Sequence, residues 1–373
     1  MDGLGYQKKN IKFALIFVTL LIFQNIYAQE LQREYRSAYF LGRGDTGIAT
    51  ATGEDAIFYN PAGIAQGKGI ISEIILASPQ GEATQNVNQI INSYSNSDSG
   101  SAIQFLAQNQ NSIYSAAAQN YSGLIFRRVA LGILERANAN AYEGIAPATG
   151  IPTANIYAAN RTGVYLTLAR DFWDNKLFIG MNGKFIQKKE LNLSISALNA
   201  ETQLSNSSLS SVINNSLNQG DGIGTDLGMM LVLNKETNTQ IGIVYRNIGM
   251  QYPWTTPEGS APPTAEPTVL DAGISTTYGT KRSKITIAAD IRDVTNTQNA
   301  VFGKRVHLGA EYSLMDTFGI MGGLNQGYGT YGMFLHTKIV KVEGGMYTEE
   351  LGARLGEYPS QRLFARVVLG WLL

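Results

Sequence analysis

Apolar and polar positions alternate with a period of two along most of the chain after residue 68. The pattern is clearest in 221–234, 283–294 and 360–373, where apolar side chains such as Leu, Ile and Val recur at every second position. Successive side chains of a strand point to opposite faces, so this period predicts β-strands with one face in an apolar medium. Charged residues recur on the other face in strand after strand, which indicates a wet lumen rather than the dry core of a soluble sandwich.

The alternation defines about fourteen strands, with twelve or sixteen as alternative counts, and the connections between them alternate in length. Tight turns such as Asp174-Asn175 and Met315-Asp316 follow the even-numbered strands, whereas long connections such as 80–119 and 191–220 follow most of the odd-numbered ones. Short turns at one end and long loops at the other are typical of outer-membrane barrels. We therefore predict an all-β fold, an antiparallel transmembrane β-barrel, with strands near 69–79, 120–128, 129–142, 159–171, 176–190, 221–234, 238–250, 268–280, 283–294, 304–314, 317–327, 330–339, 340–350 and 360–373.

The last predicted strand ends with Trp371 and Leu373 on its apolar face. This terminus resembles the signal that the outer-membrane assembly machinery reads, so that machinery is an expected partner during insertion. The same residues are also what a last lipid-facing strand requires, and the two interpretations are compatible. Outer-membrane lipid is the expected surrounding of this face.

The first residues predict export from the cytoplasm. A lysine cluster at 8–12 precedes the apolar run Phe13–Phe23, and Ile26-Tyr27-Ala28 offers a cleavage site, so residues 1–28 are predicted to be a cleavable signal peptide. The run is shorter than the roughly 20 residues that span a bilayer as a helix, which makes an uncleaved anchor the less favoured alternative. The predicted location is the outer membrane of a diderm bacterium.

Composition narrows the function classes. The chain has no Cys, which suits an oxidising compartment and removes thiol nucleophiles and most structural zinc sites. Its 29 basic and 29 acidic residues give no net charge, so nucleic acid is not an expected partner. We predict neither a cofactor nor a metal site. The 40 Gly and 19 Tyr suit an all-β protein with aromatic belts.

The segment between the predicted signal peptide and the first strand, 29–68, contains the stretch LGRGDTGIATATGEDAIFYNPAGIA. Asn60 suits a helix N-cap, and Pro61 suits the first helical position because its missing N–H would have no partner there. A short helix from Pro61 should end near Gly67. Small residues from Gly42 onward would let the backbone pack closely inside a barrel. An ordinary capped turn is the alternative interpretation.

This segment, by its order and by its Asn60-Pro61-Ala62 element, resembles the N-terminal hatch of the FadL-type barrels. That family includes long-chain fatty acid transporters and PorV/PorQ-like proteins. The resemblance implies a hatch at 29–68 inside the lumen and a barrel at 69–373. The hatch or gating positions are then Gly42, Gly44, Asn60, Pro61, Ala62 and Gly63.

The resemblance also implies a function, passive uptake of hydrophobic or amphipathic small molecules such as long-chain fatty acids. In the transporters of this family a ligand is captured by the outer loops, enters a pocket above the hatch, and leaves when the hatch shifts, often sideways through the barrel wall. We match no ligand-contacting residue of the family to this chain. The alternative is a PorV-like component of protein secretion or surface assembly, which would have a secretion partner protein.

The second face of the strands carries charges that a greasy conduit would not need. These side chains either line a polar channel or pair with one another and stiffen the lumen. The predicted luminal polar residues are Lys284, Asp290, Arg292, His307, Glu311, His336 and Lys338.

Two insertions, 81–119 and 191–220, contain apolar residues at helical spacing. Such helices would form a lid over the mouth, dock another protein, or be mobile loops without a dedicated partner. The residues at helical spacing are Val87, Ile90, Ile91 and Tyr94 in the first insertion, and Leu209, Val212, Ile213 and Leu217 in the second.

An enzyme is the hypothesis of a different class, because some outer-membrane barrels hydrolyse lipids with a Ser and a His. The only histidines are His307 and His336, which fall on strands that are not neighbours, and neither belongs to a nucleophile motif. We therefore predict that the protein is not an enzyme. The tripeptide Arg43-Gly44-Asp45 lies in the predicted hatch, where it would be hidden from an adhesion receptor.

Overall fold

The alternating segments form one antiparallel sheet that closes on itself. The computed structural model describes residues 30–31, 33–67, 69–89, 112–145, 152–196, 215–280 and 282–372. Its strands are β1 Ile71–Ala77, β2 Gln80–Thr84, β3 Ile113–Phe126, β4 Val129–Ile145, β5 Pro152–Phe172, β6 Leu177–Ser196, β7 Leu217–Asn234, β8 Thr239–Thr255, β9 Val269–Gly279, β10 Ser283–Ile291, β11 Val306–Leu314, β12 Phe318–Asn325, β13 Tyr328–His336, β14 Val340–Glu350 and β15 Pro359–Leu372.

The barrel closes between its first and last strands. Both β1 and β2 pair with β15 on one side and with β3 on the other, so these two short strands are halves of a single barrel strand. The interruption falls at Ser78 and Pro79, where proline has no N–H for the ladder. The 15 strands of the sheet therefore occupy fourteen positions, since β1 and β2 share one. The predicted fourteen-stranded antiparallel barrel is confirmed.

Several predicted strands are too short at the same end of the barrel, and two of them show the reason. The strands predicted at 120–128 and 159–171 begin at Ile113 and Pro152. Both additions lie at the end of the barrel with the long connections, where Asn, Ala and Ser replace the alternating apolar residues. Ladder hydrogen bonds continue there although the apolar face has ended, so the hydrophobic period does not reveal the extension.

The two faces of the barrel differ as the alternation predicts. On β15, Leu363 is 47% exposed and Trp371 is 57% exposed, whereas Arg362 and Arg366, on the other face of the strand, are buried. The outward face is therefore a continuous apolar surface, and the inward face is charged. No helix within the described ranges is long and apolar enough to cross a membrane.

The N-terminal segment, defined here as residues 33–67, lies within the lumen. It contains α1 (Ala38–Gly42), α2 (Gly53–Tyr59) and a 3-10 helix (Pro61–Gln66), and nearly all of its residues are buried. Asn60 caps the 3-10 helix as predicted, because its side chain accepts a hydrogen bond from the N–H of Ala62 at 3.2 Å. A further short helix, α3 (Phe302–Arg305), lies between β10 and β11.

Other predictions fall partly or wholly outside the described residues. The predicted signal peptide, 1–28, lies entirely outside the described residues. Within the two insertions, the parts of the predicted helices in 90–111 and 197–214 also lie outside them. Both ends of each insertion are strand, which corrects the predicted limits of 81–119 and 191–220; Leu217, assigned to a helix, is the first residue of β7. Residues 80–84 hold their place in the ladder by pairing with β15 and β3. The division into hatch and barrel domains stays a prediction.

Candidate functional site

One side of the N-terminal segment packs by shape. We call this the packed side: the contact of residues 60–66 with β6 and β7. The backbone of Pro61 and Ala62 lies directly on Gly180 of β6, where a Cβ would stand 2.5 Å from the Ala62 nitrogen. A Cβ on Gly228 of β7 would stand 2.7 Å from the Pro61 ring. Only glycine lets the two backbones approach so closely.

Asn60 joins the packed side to the rest of the segment. Its side-chain amide donates to the carbonyl of Ile48 at 2.9 Å and to the carbonyl of Met229, on β7, at 3.1 Å. Arg246 of β8 donates to the carbonyl of Tyr59 at 2.6 Å and also to that of Phe58, next to the end of α2. These donors satisfy helix-terminal carbonyls that have no partner within the helix.

The opposite side is also closely packed, since Gly309 and Gly332 approach the backbone of Arg43 and Gly42, but buried ion pairs are concentrated there. We call this the charged side: the contact of residues 35–55 with inward-facing polar groups of β10, β11, β13, β14 and β15. Asp290 accepts from the N–H groups of Gly47 at 2.7 Å and Ile48 at 3.0 Å. Glu311 accepts from the guanidinium of Arg43 at 2.9 Å and from the hydroxyl of Tyr39.

Arg366 is the centre of the charged side. Its guanidinium lies 3.1 Å from Asp55 and 3.3 Å from Glu54, both in α2, and 2.7 Å from Glu343 of β14. Several carboxylates thus share one arginine in a buried place. Burial is the largest influence on Glu54 and raises the pKa of its carboxyl to about 7, although Arg366 opposes the shift.

The sequence-predicted hatch residues occupy both sides. Gly42 contacts Gly332 of β13, and Gly44 has φ +64°. The Gly44 N–H donates to Thr330 at 3.0 Å, and its carbonyl accepts from Nδ1 of His307 at 3.1 Å. Since a carbonyl only accepts, Nδ1 of His307 carries its proton. A Cβ on Gly63 would overlap the carbonyl of Ala51.

The predicted luminal residues separate into two groups. Asp290, Arg292, His307 and Glu311 bind the N-terminal segment directly, and Arg292 does so by donating to the carbonyl of Asp45 at 2.8 Å. His336 lies 2.8 Å from Glu343.

The remaining two residues lie at the rim with the short turns. Lys284 pairs with Asp316 at 2.6 Å, and Lys338 is exposed. The face of Lys284 is as predicted, but alternation indicates only the face of a residue and not its depth.

A cavity of about 560 Å³ lies between the N-terminal segment and the end of the barrel with the long connections. We call it the outer cavity, because long connections face outward in outer-membrane barrels. Its floor is formed by Glu30, Leu31, Arg33 and Arg36, and most of its wall by residues of β4, β5 and β6. The volume falls in the range of pockets that bind small molecules, about 300–1,000 Å³.

Comparisons with known proteins place this geometry in a fold. No protein-family model matches the chain, and no curated protein matches it. The Ralstonia pickettii toluene transporter TbuX superposes with a TM-score of 0.53 at 14% identity, covering 91% of this chain and 99% of its own. The monoaromatic hydrocarbon channel CymD gives 0.51 at 13% identity, covering 90% and 96%. The Pseudomonas putida toluene transporter TodX gives 0.51 at 11% identity, covering 92% and 100%.

The chain has the fold of the FadL-type barrels. At these identities the likeness establishes architecture, and the predicted resemblance is confirmed at that level. The FadL-type fold and the apolar outward face make the chain a transmembrane β-barrel of the outer-membrane type. The comparisons give no specific support to the PorV-like branch.

Sequence reasoning missed the residues that line the outer cavity of this barrel. The inward face of β4 presents Arg136, Asn138 and Asn140, and the stretch ERANANAYE in which they lie does alternate. Alanine, rather than Leu or Ile, occupies the intervening positions, so the alternation carries little hydrophobic contrast. A search for polar residues at every second position would have found this wall.

Proposed function

We propose that this protein is an outer-membrane channel for the passive uptake of hydrophobic or amphipathic small molecules, gated by its N-terminal segment. The observation that carries the proposal is the buried segment between the outer cavity and the end of the barrel with the short turns. In that position the segment would close the lumen beneath a ligand-sized space, which supports the proposal. The neighbours of the same fold, by their names, transport toluene and other monoaromatic hydrocarbons.

A gate must both close the lumen and be able to move. Closure is supported by the packed side, where backbone lies on backbone. Movement is supported by the charged side, where separated ions would recover hydration that they lose on burial. The proposed sequence is therefore capture in the outer cavity, displacement of the segment at its charged side, and release toward the periplasm.

The experiment is uptake by whole cells, whose outer leaflet slows direct passage of hydrophobic compounds. A diderm host without its own channels of this kind would express the intact protein, a variant lacking residues 42–67, or no protein. Radiolabelled toluene and a radiolabelled long-chain fatty acid would be supplied separately. Uptake above the empty host by the intact protein, changed by the deletion, supports gated transport.

The two ligands separate two versions of the proposal. Uptake of toluene alone favours a monoaromatic channel, and uptake of the fatty acid alone favours the lipid transport implied by the resemblance. No uptake of either compound by the intact protein, with only nonspecific leak after deletion, would contradict the proposal and favour a role in secretion or surface assembly.

A further inference from the structure

The chemistry of the outer cavity differs from that of a hydrocarbon pocket. Its described lining combines amide and hydroxyl groups from three neighbouring strands with a larger apolar surface, to which Leu31, Ile156 and Leu351 contribute. The amide and hydroxyl groups belong to Asn138, Asn140, Tyr142, Asn155, Tyr157, Asn192 and Ser194. Some of these groups already bond within the protein, since Asn140 donates to Glu30 and Asn138 accepts from Arg161. An amide can make further hydrogen bonds, which toluene could not provide, and unmet polar groups in a filled pocket cost binding free energy.

The cations of the cavity are already neutralised. Arg36 lies 2.6 Å from Glu30 and 3.1 Å from Glu349, and Arg33 pairs with Asp45. Burial would raise the pKa of Glu30, but Arg362 and Arg36 hold that pKa below its ordinary value, so Glu30 is charged.

The wall cations are paired in the same way. Arg136 lies 2.7 Å from Glu82, and Arg161 lies 3.1 Å from Glu266. Burial would raise the pKa of Glu266, but Lys188 and Arg161 lower it. Each arginine among the described lining residues thus contacts at least one carboxylate. An anionic ligand would therefore meet no uncompensated positive charge.

Neutral hydrogen-bonding groups are what the cavity offers to a ligand. Asn192 and Ser194 are exposed toward the cavity from β6, and Asn155 faces them from β5. Ser194 donates to Asn155 at 2.9 Å, which orients the amide. An amide both donates and accepts, so a row of amides and hydroxyls matches hydroxyl groups on a ligand.

We propose that the outer cavity binds neutral, hydroxyl-bearing amphipathic molecules, with aromatic glycosides as the representative class, in preference to pure hydrocarbons and to anions. The amides of β4, β5 and β6 bind the hydroxyl groups, and the apolar part of the lining covers the ring. This inference rests on the proposed channel function and specifies its substrate class.

The test is equilibrium binding to the full-length protein in nanodiscs. Phenyl β-glucoside is the probe, phenyl β-glucuronide differs from it by a carboxylate in place of a hydroxymethyl group, and toluene lacks the sugar. Saturation-transfer NMR and competition between the compounds give relative dissociation constants. The glucoside should bind at least about tenfold more tightly than the glucuronide, because the anion loses hydration without gaining a cation.

Variants connect this selectivity to the wall. Asn192→Leu combined with Asn155→Leu should weaken glucoside binding about tenfold, since hydrogen bonds to the ligand are lost. Asn160→Leu is the matched control, because Asn160 is exposed on the opposite face of β5 and should leave binding unchanged. Glu266→Gln should strengthen glucuronide binding about tenfold by freeing Arg161, while Lys188 keeps Glu190 at 3.0 Å.

Three results would overturn the inference. They are no binding of the glucoside, equal or tighter binding of the glucuronide or toluene to the intact protein, and an asparagine double variant that binds like the Asn160 control. The proposed channel function is judged separately by uptake in cells. Segment-dependent uptake of toluene without glucoside binding would refute the substrate class and leave the channel standing.

Discussion

The N-terminal segment packs closely against the barrel on two sides, and one of them is also held by buried ion pairs. On the packed side Pro61 lies on Gly180 and Gly228 with no room for a Cβ, so the fit depends on shape. On the charged side Asp55 and Glu54 share Arg366, and Asp290 binds backbone N–H groups of the segment. When the segment moves away, water does not replace the lost packing contacts, whereas the separated ions become hydrated again. We therefore expect the packed side to act as the fixed edge and the charged side as the one that opens.

We call the free energy that holds the segment in the lumen the seating free energy. Its change in a variant shows how much the altered side contributes. Hydrogen exchange of the amides of residues 38–67 reports it, because the segment must leave the lumen before its most protected amides exchange. Ion conductance reports the resulting open fraction. The predictions below change one side at a time.

The largest effect is expected from Arg366→Met, which leaves buried carboxylates without their shared cation. The seating free energy should fall by about 3–5 kcal/mol. Arg170→Met is the control, because Arg170 is exposed on the outward face of β5. Adding Asp55→Asn to Arg366→Met should recover part of the loss. A double variant no better than the single one would mean that charge is not what binds this side.

Gly180→Val should open the packed side. The new side chain would occupy the position of the Pro61 and Ala62 backbone, and the seating free energy should fall by about 2–3 kcal/mol. Gly183→Val on the same strand is a matched control, since the nearest atom to its Cβ would be the Leu166 carbonyl oxygen at 3.9 Å. Equal hydrogen exchange in the two variants would remove the packed side from the account.

The charged side should also respond to pH through Glu54. Its pKa is raised from 4.5 to about 7, so the folded state binds the proton more tightly than the unfolded one. Its contribution to seating is complete below pH 4.5 and is lost as pH rises through 7, a change of about 1–3 kcal/mol. Glu54→Gln should abolish this component and match the wild type at pH 4. Unchanged pH dependence of hydrogen exchange in Glu54→Gln would assign the effect to another group.

The smallest effect is expected from Asn60→Ala, which removes the helix cap and the bonds to Ile48 and Met229. The loss should be about 1–2 kcal/mol. Thr52→Ala is the matched control, because Thr52 occupies the N-cap position of α2 without making a side-chain cap bond. If both variants exchanged at the same rate, Asn60 would be a spacer rather than a link between the segment and β7.

Some features of the fold and of the site could be predicted from the sequence, and others could not. Lipid on one face and water on the other impose the period of two, so the strands and their number were predictable. The Asn60 cap was predictable because a cap depends on neighbouring residues. The partners of Asp290 and Glu311 were not, since they lie 243 and 268 residues away along the chain, and periodicity gives the face of a residue but not its depth.

Two features of the barrel were not predicted from the sequence, for related reasons. The first strand was predicted to end at 79, yet it continues as β2 after the break at Pro79, because proline interrupts the ladder without ending the sheet. The polar wall of the outer cavity lies where alanine alternates with asparagine, so hydrophobic contrast is weak there. Functional chemistry thus lies where the hydrophobic pattern carries least information.

Conductance across a planar bilayer tests the central claim, that residues 33–67 close the lumen, most directly. The intact protein should insert and remain closed to ions, while a variant lacking residues 38–67 should conduct continuously. Gly180→Val should conduct intermittently, which keeps the test decisive if the deletion variant fails to insert. An intact protein that conducts as much as either variant would contradict the claim, because the segment would then leave the channel open.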